Sequence, residues 1–205
     1  MRGHLLRGFT LTAMLVAGCA YYDQSVVLSP HLHVAGSSIG AGQTLAVDVL
    51  DERPQTAIGQ RNLLGLPSGT ISIDSGFVEI LRQQIINGLK AHGFLPQEKN
   101  PYAYRSLLIQ VRVMDYEMIL GPLNNSIQTR VWLKAICKNG GLTMQKFYMQ
   151  EDDRAILIAP TAERNSEFVN ATVANVLQKM LNDQLLLKFL SQGGGLVKPK
   201  VADAD

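Results

Sequence analysis

The stretch Gly36-Ser37-Ser38-Ile39-Gly40 spells G-x-S-x-G, the turn that exposes a nucleophilic serine when it sits between a strand and a helix. Its surroundings speak against that use. Residues 44–50 alternate like a strand rather than a helix, and the one histidine downstream, His92, falls at the expected end of a helix. The segment therefore reads as a flexible linker. His31 and His33 are two apart and would share a face on a strand, as a metal site requires, but no third ligand lies near them in the sequence. They read as surface histidines. Cys137 sits among apolar positions without a basic neighbour in sequence to lower its pKa, the setting of a buried small hydrophobe rather than a nucleophile. No catalytic residue, metal or small-molecule cofactor is expected.

Two groups remain as contact sites for a partner. Asp48, Asp51, Glu52 and Arg53 gather acids and a base at a strand end, where the plain reading is a turn with Arg53 paired to a carboxylate and the sharper one is a polar contact site. Trp132 alternates with Arg130 and Lys134, and with Gln128 and Ile136, opposite the apolar face of its strand. An exposed Trp between two cations either packs beneath their stems or belongs to an interface.

The elements that must position these groups follow from a chain of 205 residues that is 46% hydrophobic and 18% charged, enough to bury one core. Lys and Arg number 19 and Asp and Glu 17. Setting aside Arg2 and Arg7, which lie in a segment expected to be removed, 17 of each sign remain, a balance that argues against nucleic acid as a partner. That first segment has two early arginines, a short apolar run from Phe9 to Val16 and a small-residue exit, the pattern of an export signal. Beyond it no apolar run approaches the roughly 18 to 20 residues of a spanning helix.

Residues 20–43 read as a tether with one short extended piece, Ser25 to Pro30, followed by a Gly- and Ser-rich stretch. Thr44 to Leu50 is a strand, 55–68 a loop, and Gly69 to Ile73 a short returning strand. Phe77, Val78, Leu81, Ile85 and Leu89 share a helical stripe capped by Asp74 or Ser75 and ended by Gly93. Ser106 to Met118 is a long strand with Leu107, Ile109, Val111 and Val113 on one face; Ile127 to Cys137 is the next, and Asn139-Gly140-Gly141 turns into a third from Leu142 to Gln150. A second helix, capped near Asn165 or Ser166, carries Phe168 to Leu181 and continues past a kink at Asn182-Asp183 to Leu190. The expected fold is α+β: a two-layer sandwich in which a mostly antiparallel sheet of about four to five strands carries two helices on one face. The chain divides into a signal (1–18), an anchor and tether (19–43), a domain (44–191) and a disordered tail (192–205).

Leu15-Val16-Ala17-Gly18-Cys19 resembles the lipobox of bacterial lipoproteins, which implies diacylglycerol on the Cys19 sulfur, cleavage before it and acylation of the new amino group, palmitate among the acyl chains. Several chains on one residue anchor durably where one does not. Ala20 in the position where Asp marks inner-membrane retention implies the outer membrane. With Cys19 acylated, Cys137 has no intramolecular partner.

The chain is also similar to the YajG family of bacterial lipoproteins. The likeness rests on the lipobox, the strand leading into Asp51-Glu52-Arg53 with Gly59 after it, the helix from Phe77 to Gly93, and the run from Phe168-Val169-Asn170 through Asn182-Asp183-Gln184 to Phe189-Leu190. It implies a non-catalytic, lipid-anchored protein facing the periplasm. The expected role is an accessory or scaffold subunit of an envelope assembly, for cell-wall synthesis or a secretion apparatus, with envelope proteins as partners. The alternative is a binding module for a small envelope ligand such as a peptidoglycan fragment. Cys19 is then the lipidation site, and Trp132, Arg130, Lys134, Asp51, Glu52 and Arg53 are the candidate partner-binding residues. The oligomeric state is left open.

Overall fold

Where apolar residues alternate the chain is extended, and where they recur every three or four positions it is helical. The computed structural model describes residues 23–63, 66–121 and 125–192. The export signal, Cys19 and the tail beyond Gln192 lie outside them. In chain order the elements are β1 (Gln24–Val26), β2 (Thr44–Asp51), β3 (Ala57–Leu63), β4 (Leu66–Ile73), α1 (Phe77–Ala91), β5 (Leu95–Gln97), β6 (Arg105–Leu120), β7 (Asn125–Asn139), β8 (Leu142–Ile156), α2 (Ala162–Leu181) and α3 (Gln184–Ser191). Among the described residues the fold is mixed α+β, with three helices and an eight-stranded curled sheet, larger than the four to five strands expected.

Strand length explains the larger sheet. β6 has 16 residues but β2 only eight, so β2 pairs with β6 in parallel only as far as Asp51↔Val111. The rest of that edge is met by β3, which touches β6 in parallel at Gly59↔Tyr116. A Cβ on Gly59 would lie 2.0 Å from the Tyr116 carbonyl oxygen, so only glycine allows this crossing. The stretch 55–68, expected to be a loop, is thus largely the β3–β4 hairpin; Gly59, Pro67 and Gly69 interrupt the alternation that would have marked it as strand. Parallel pairs β1–β4, β2–β5, β2–β6 and β3–β6 stand beside antiparallel β3–β4, β6–β7 and β7–β8, which makes the sheet mixed.

A register shift between Val111 and Val113 marks a bulge where β2 leaves β6 and β3 takes over. An extra residue reverses which side chains face inward. Leu107, Ile109 and Val111 are buried before it, and Met114, Tyr116 and Met118 after it. Val113, expected on the inner face, is therefore turned outward and half-buried.

The inner face packs one continuous core with the stripes Phe77, Leu81, Ile85 and Leu89 of α1, Phe168, Val173, Leu177 and Met180 of α2, and Leu186 and Leu190 of α3. Side chains of this size contribute about 1.5 to 3 kcal/mol each when fully buried. α1 ends as expected at Gly93, which has φ +79°. The Gly93 and Phe94 amides donate to the carbonyls of Lys90 and Leu89, the paired bonds of a Schellman turn. Its start differs: Asp74 accepts from the Gly76 amide just ahead of the helix, and no side chain caps it. α2 is capped by Thr161, whose hydroxyl accepts from the Arg164 amide at 3.4 Å; the expected caps Asn165 and Ser166 lie inside the helix. At 182–183 the chain does not merely kink. Asp183 caps a separate helix, accepting from the amides of Leu185 and Leu186.

The stretch expected as a tether behaves differently from Asp23 onward. Val26, Leu28 and Pro30 are buried, Leu32 and Val34 partly so, while the residues between them face out. Amides of Val27, Ser29, His33 and Ala35 donate to side chains of Ser166, Asn170, Gln178 and Asn182 on α2 and its C-cap. Two extended residues advance about 6.6 Å and four helical residues about 6 Å, so the strap and the helix stay in step. Residues 36–42 then dock on the end of α1 through Ser37, Gly40 and Gly42 amides bonded to the carbonyls of Ala91, His92 and Gly93. This is an ordered turn where a flexible linker was expected.

Candidate functional site

β7 shows the two faces of the sheet most plainly. Ile127, Val131, Leu133, Ala135 and Cys137 point into the core, and Gln128, Arg130, Trp132, Lys134 and Ile136 alternate on the side that no helix among the described residues covers. Trp132 is 41% exposed. Register sets its neighbours: Val113 of β6 on one side, turned out by the bulge, and Met149 of β8 on the other. Lys134 faces Phe147 across the same strand pair, its Nζ 5.8 Å from the ring centroid. Phe147 is 63% exposed and Met149 53%. Trp132, Phe147 and Met149 therefore form an apolar row on an otherwise polar face.

Phe147 and Met149 were not singled out from the sequence. Their alternation with Lys146, Tyr148 and Gln150 is visible there, but which set faces outward depends on the β7–β8 register. That register gives Tyr148 to the inside, where its hydroxyl donates to Asp183 at 2.6 Å.

Charges frame the row. Arg130 lies 3.5 Å from Asp115 and 3.6 Å from Glu117, and Gln128 donates to Glu151 at 2.6 Å. Of the 51–53 corner, Glu52 reaches the open face and binds the side chains of Gln110 and Arg112 on β6. Gln110 stands opposite Lys134, which joins Glu52 to the margin of the Trp132 row. Arg53 turns the other way. It grips Asp51 through two hydrogen bonds of 2.7 and 2.9 Å and lies over the Phe77 ring at 4.6 Å, with its side chain only 4% exposed. Hydrogen bonds from Arg53 hold the Asp51 carboxyl below its ordinary range, against an opposing effect of burial. Arg53 is thus sequestered beneath the corner and paired to Asp51, as the plain reading of the turn has it, and of the three residues Glu52 is the one whose side chain reaches the open face.

The residues that might have done covalent chemistry occupy structural positions. Ser37, not Ser38 of the motif, meets His92, with Oγ 2.8 Å from Nδ1. His92 is buried, and burial lowers its pKa while a hydrogen bond to the Leu181 carbonyl opposes the shift. Without a carboxylate on the ring, the pair is a joint between the strap and α1 rather than an activated nucleophile. Burial, reinforced by Asp183 and opposed by Lys146, pushes the Cys137 thiol up to about 12, which leaves no thiolate at neutral pH. His31 and His33 project from the strap to solvent, and among the described residues no group of three His, Cys, Asp or Glu could hold a metal.

Besides a depression of about 330 Å³ along residues 155–161, others on both sides of the sheet could hold a ligand. One, of about 190 Å³, lies on the open side between the 99–103 loop and Asp48, Leu108 and Ile136, with Asp48 paired to Lys99 at 2.8 Å. A larger open groove of about 700 Å³ runs between the strap and α2, along Val27, Ser29, His31, Ser166, Asn170 and Ala174. At Ala174 the strap has no side chain to bond, since alanine replaces the polar rung.

The fold has relatives among solved structures. A neuraminyllactose-binding hemagglutinin homolog from Helicobacter pylori, so described, superimposes with a TM-score of 0.53 at 8% identity, covering 81% of this chain and 97% of that one. A Xanthomonas campestris protein of the DUF330 family gives 0.50 at 10% identity, covering 82% and 95%. At these identities the likeness is one of fold alone. No curated protein matches the sequence. The family model described as "Uncharacterized lipoprotein" matches residues 30–191, from the middle of the strap to the end of α3, and the chain belongs to that lipoprotein family.

Proposed function

We propose that this lipoprotein is YajG-like, anchored in the outer membrane by lipid on Cys19, and acts without catalysis as an accessory or scaffold subunit of an envelope assembly, gripping a protein partner with the open face of β7 and β8. The observation that carries this reading is the exposed row of Trp132, Phe147 and Met149. Aromatic residues and Met are enriched at the centres of protein interfaces, and a rim of charges such as Arg130, Asp115, Glu117 and Lys134 supplies orientation. The side chains best placed for chemistry, His92 and Cys137, are buried and held neutral, which favours a binding role. Ala20 favours the outer membrane over the inner one.

A photo-crosslinking amino acid at position 132 in cells tests the contact. A discrete covalent adduct that disappears with Phe147→Ala supports it; no adduct, with the lipoprotein normally exported, removes the protein-contact reading. A second reading, a module for a small envelope ligand, has the 700 Å³ groove in its favour. Titration with soluble peptidoglycan fragments would then perturb His31 and Asn170 rather than Trp132.

A further inference from the structure

Three stretches of sequence carry no charged residue, 62–70, 118–129 and 155–162, and the described residues that begin and end them lie at one end of the sheet. Pairing puts them together. β3 and β6 run in parallel through Gly59↔Tyr116 toward the same end, and Asn125 pairs with Ile156 there. The side chains they expose are large and apolar: Leu157 is 97% exposed, Ile158 81% and Leu66 70%, with Ile119 and Leu120 at 41% each.

The N-terminus of the described chain arrives at the same end. The Asp23 carboxylate accepts from the Thr70 amide, and Gln24 bonds Asn165 in the first turns of α2. Cys19 precedes Asp23 by four residues, a reach of about 14 Å at most. β4 needs the same four residues to run back from Thr70 to Leu66. The anchoring cysteine can therefore stand level with the uncharged end and no farther from it than one short extended segment.

We infer that this end is a lipid-docking surface: the acyl chains on Cys19 hold it against the bilayer, and Leu157 and Ile158, with Leu66 at the same end of the sheet, enter the headgroup and acyl boundary. The inference rests on the lipoprotein reading. It fixes the orientation of the domain, with the β7–β8 hairpin pointing away from the membrane. Trp132 lies seven residues along β7 from Asn125, about 23 Å above the surface and free for a partner. Exposed loops without charge at the point of tethering suit lipid; the charges nearest them, Glu163, Arg164 and Glu167, stand in the first turns of α2, where Arg164 borders the same depression as Leu157 and Ile158 and can meet a lipid phosphate.

The test uses the full acylated protein reconstituted in vesicles of phosphatidylethanolamine and phosphatidylglycerol. Ile158→Cys and, at the far end, Gln145→Cys are each labelled with an environment-sensitive nitrobenzoxadiazole probe. Cys19 is acylated and Cys137 buried, so neither competes for the label. The expected result is blue-shifted emission at position 158, quenched by lipids carrying a nitroxide on the acyl chain, with water-like emission at 145. A water-like signal at 158 on protein that floats with the vesicles overturns the inference and leaves the lipoprotein reading intact. A blue shift without lipid quenching also overturns it, assigning the surface to a protein or a second copy. Failure to float overturns the lipoprotein reading and this inference with it.

Discussion

The open face of β7 and β8 and the uncharged end of the sheet both expose large apolar side chains, and they differ in what surrounds them. Around Trp132 and Phe147 stand Arg130, Asp115, Glu117 and Lys134, a mixture that can be matched charge for charge by another protein. At the end that carries Leu157 and Ile158 three connections lack any charge in sequence, and Asp23, four residues after Cys19, bonds Thr70 at that same end. Exposed apolar surface alone therefore does not name its partner. Nearby charge and the distance from the anchor separate a protein-facing patch from a lipid-facing one.

The core beneath both regions gives the largest effect. Leu177 and Ile109 are fully buried in the layers that face each other, and truncating either to Ala should cost about 2 to 5 kcal/mol in thermal or urea unfolding. A melt within a degree or two of the parent would mean that the element concerned does not bear the load on which both surfaces depend. Next comes Trp132→Ala, expected to weaken a partner by about 2 kcal/mol or more, roughly 30-fold in dissociation constant, while moving stability by under about 0.5 kcal/mol. Partner binding at parental affinity would erase the distinction between the two regions.

Asp183 sharpens the contrast from the inside. Burial alone would raise its pKa, but Lys146, the Tyr148 hydroxyl and the amides of Leu185 and Leu186 hold it below the ordinary 3.8. Its contribution is therefore complete at neutral pH and lost as the pH falls through and below that value. Asp183→Asn retains the cap but removes the charge, so it should cost about 1 kcal/mol and flatten the acid limb of the stability curve. His92 acts at milder acidity. Since folding lowers its pKa below the ordinary 6.5, the unfolded chain takes up a proton first and stability declines as the pH drops beneath 6.5. Differential scanning calorimetry of His92→Gln between pH 7 and about 5 should show a shallower decline than the parent.

The smallest effect is expected at the uncharged end. Leu157→Ser should change the melting temperature by no more than about 0.5 kcal/mol allows, because its side chain is almost wholly exposed. A larger loss would show that the 155–162 connection belongs to the core and is not free for lipid.

Several of these features were legible beforehand, and the reason for each failure is local. The helices at Phe77 and Phe168, the Gly93 stop and the outward position of Trp132 were written in apolar periodicity. The strap is written in the same way, in the alternation of Val26, Leu28, Pro30, Leu32 and Val34, but Pro30 and the Gly-rich stretch after it mask the pattern. The β3–β4 hairpin was hidden because Gly59, Pro67 and Gly69 break the pattern for reasons of packing that only its neighbour Tyr116 explains.

Taken alone, the amino-acid sequence determined the helices, the long strands and the lipobox resemblance, since spacing along one chain carries that information. Tertiary structure decided the rest. It turned Val113 outward at a bulge, set Phe147 and Met149 beside Trp132 through strand register, stacked Arg53 on Phe77, and brought the ends of three uncharged connections to the side of the sheet where Asp23 lies. Each of these depends on residues distant in sequence meeting in space, and periodicity within a single segment does not encode such meetings.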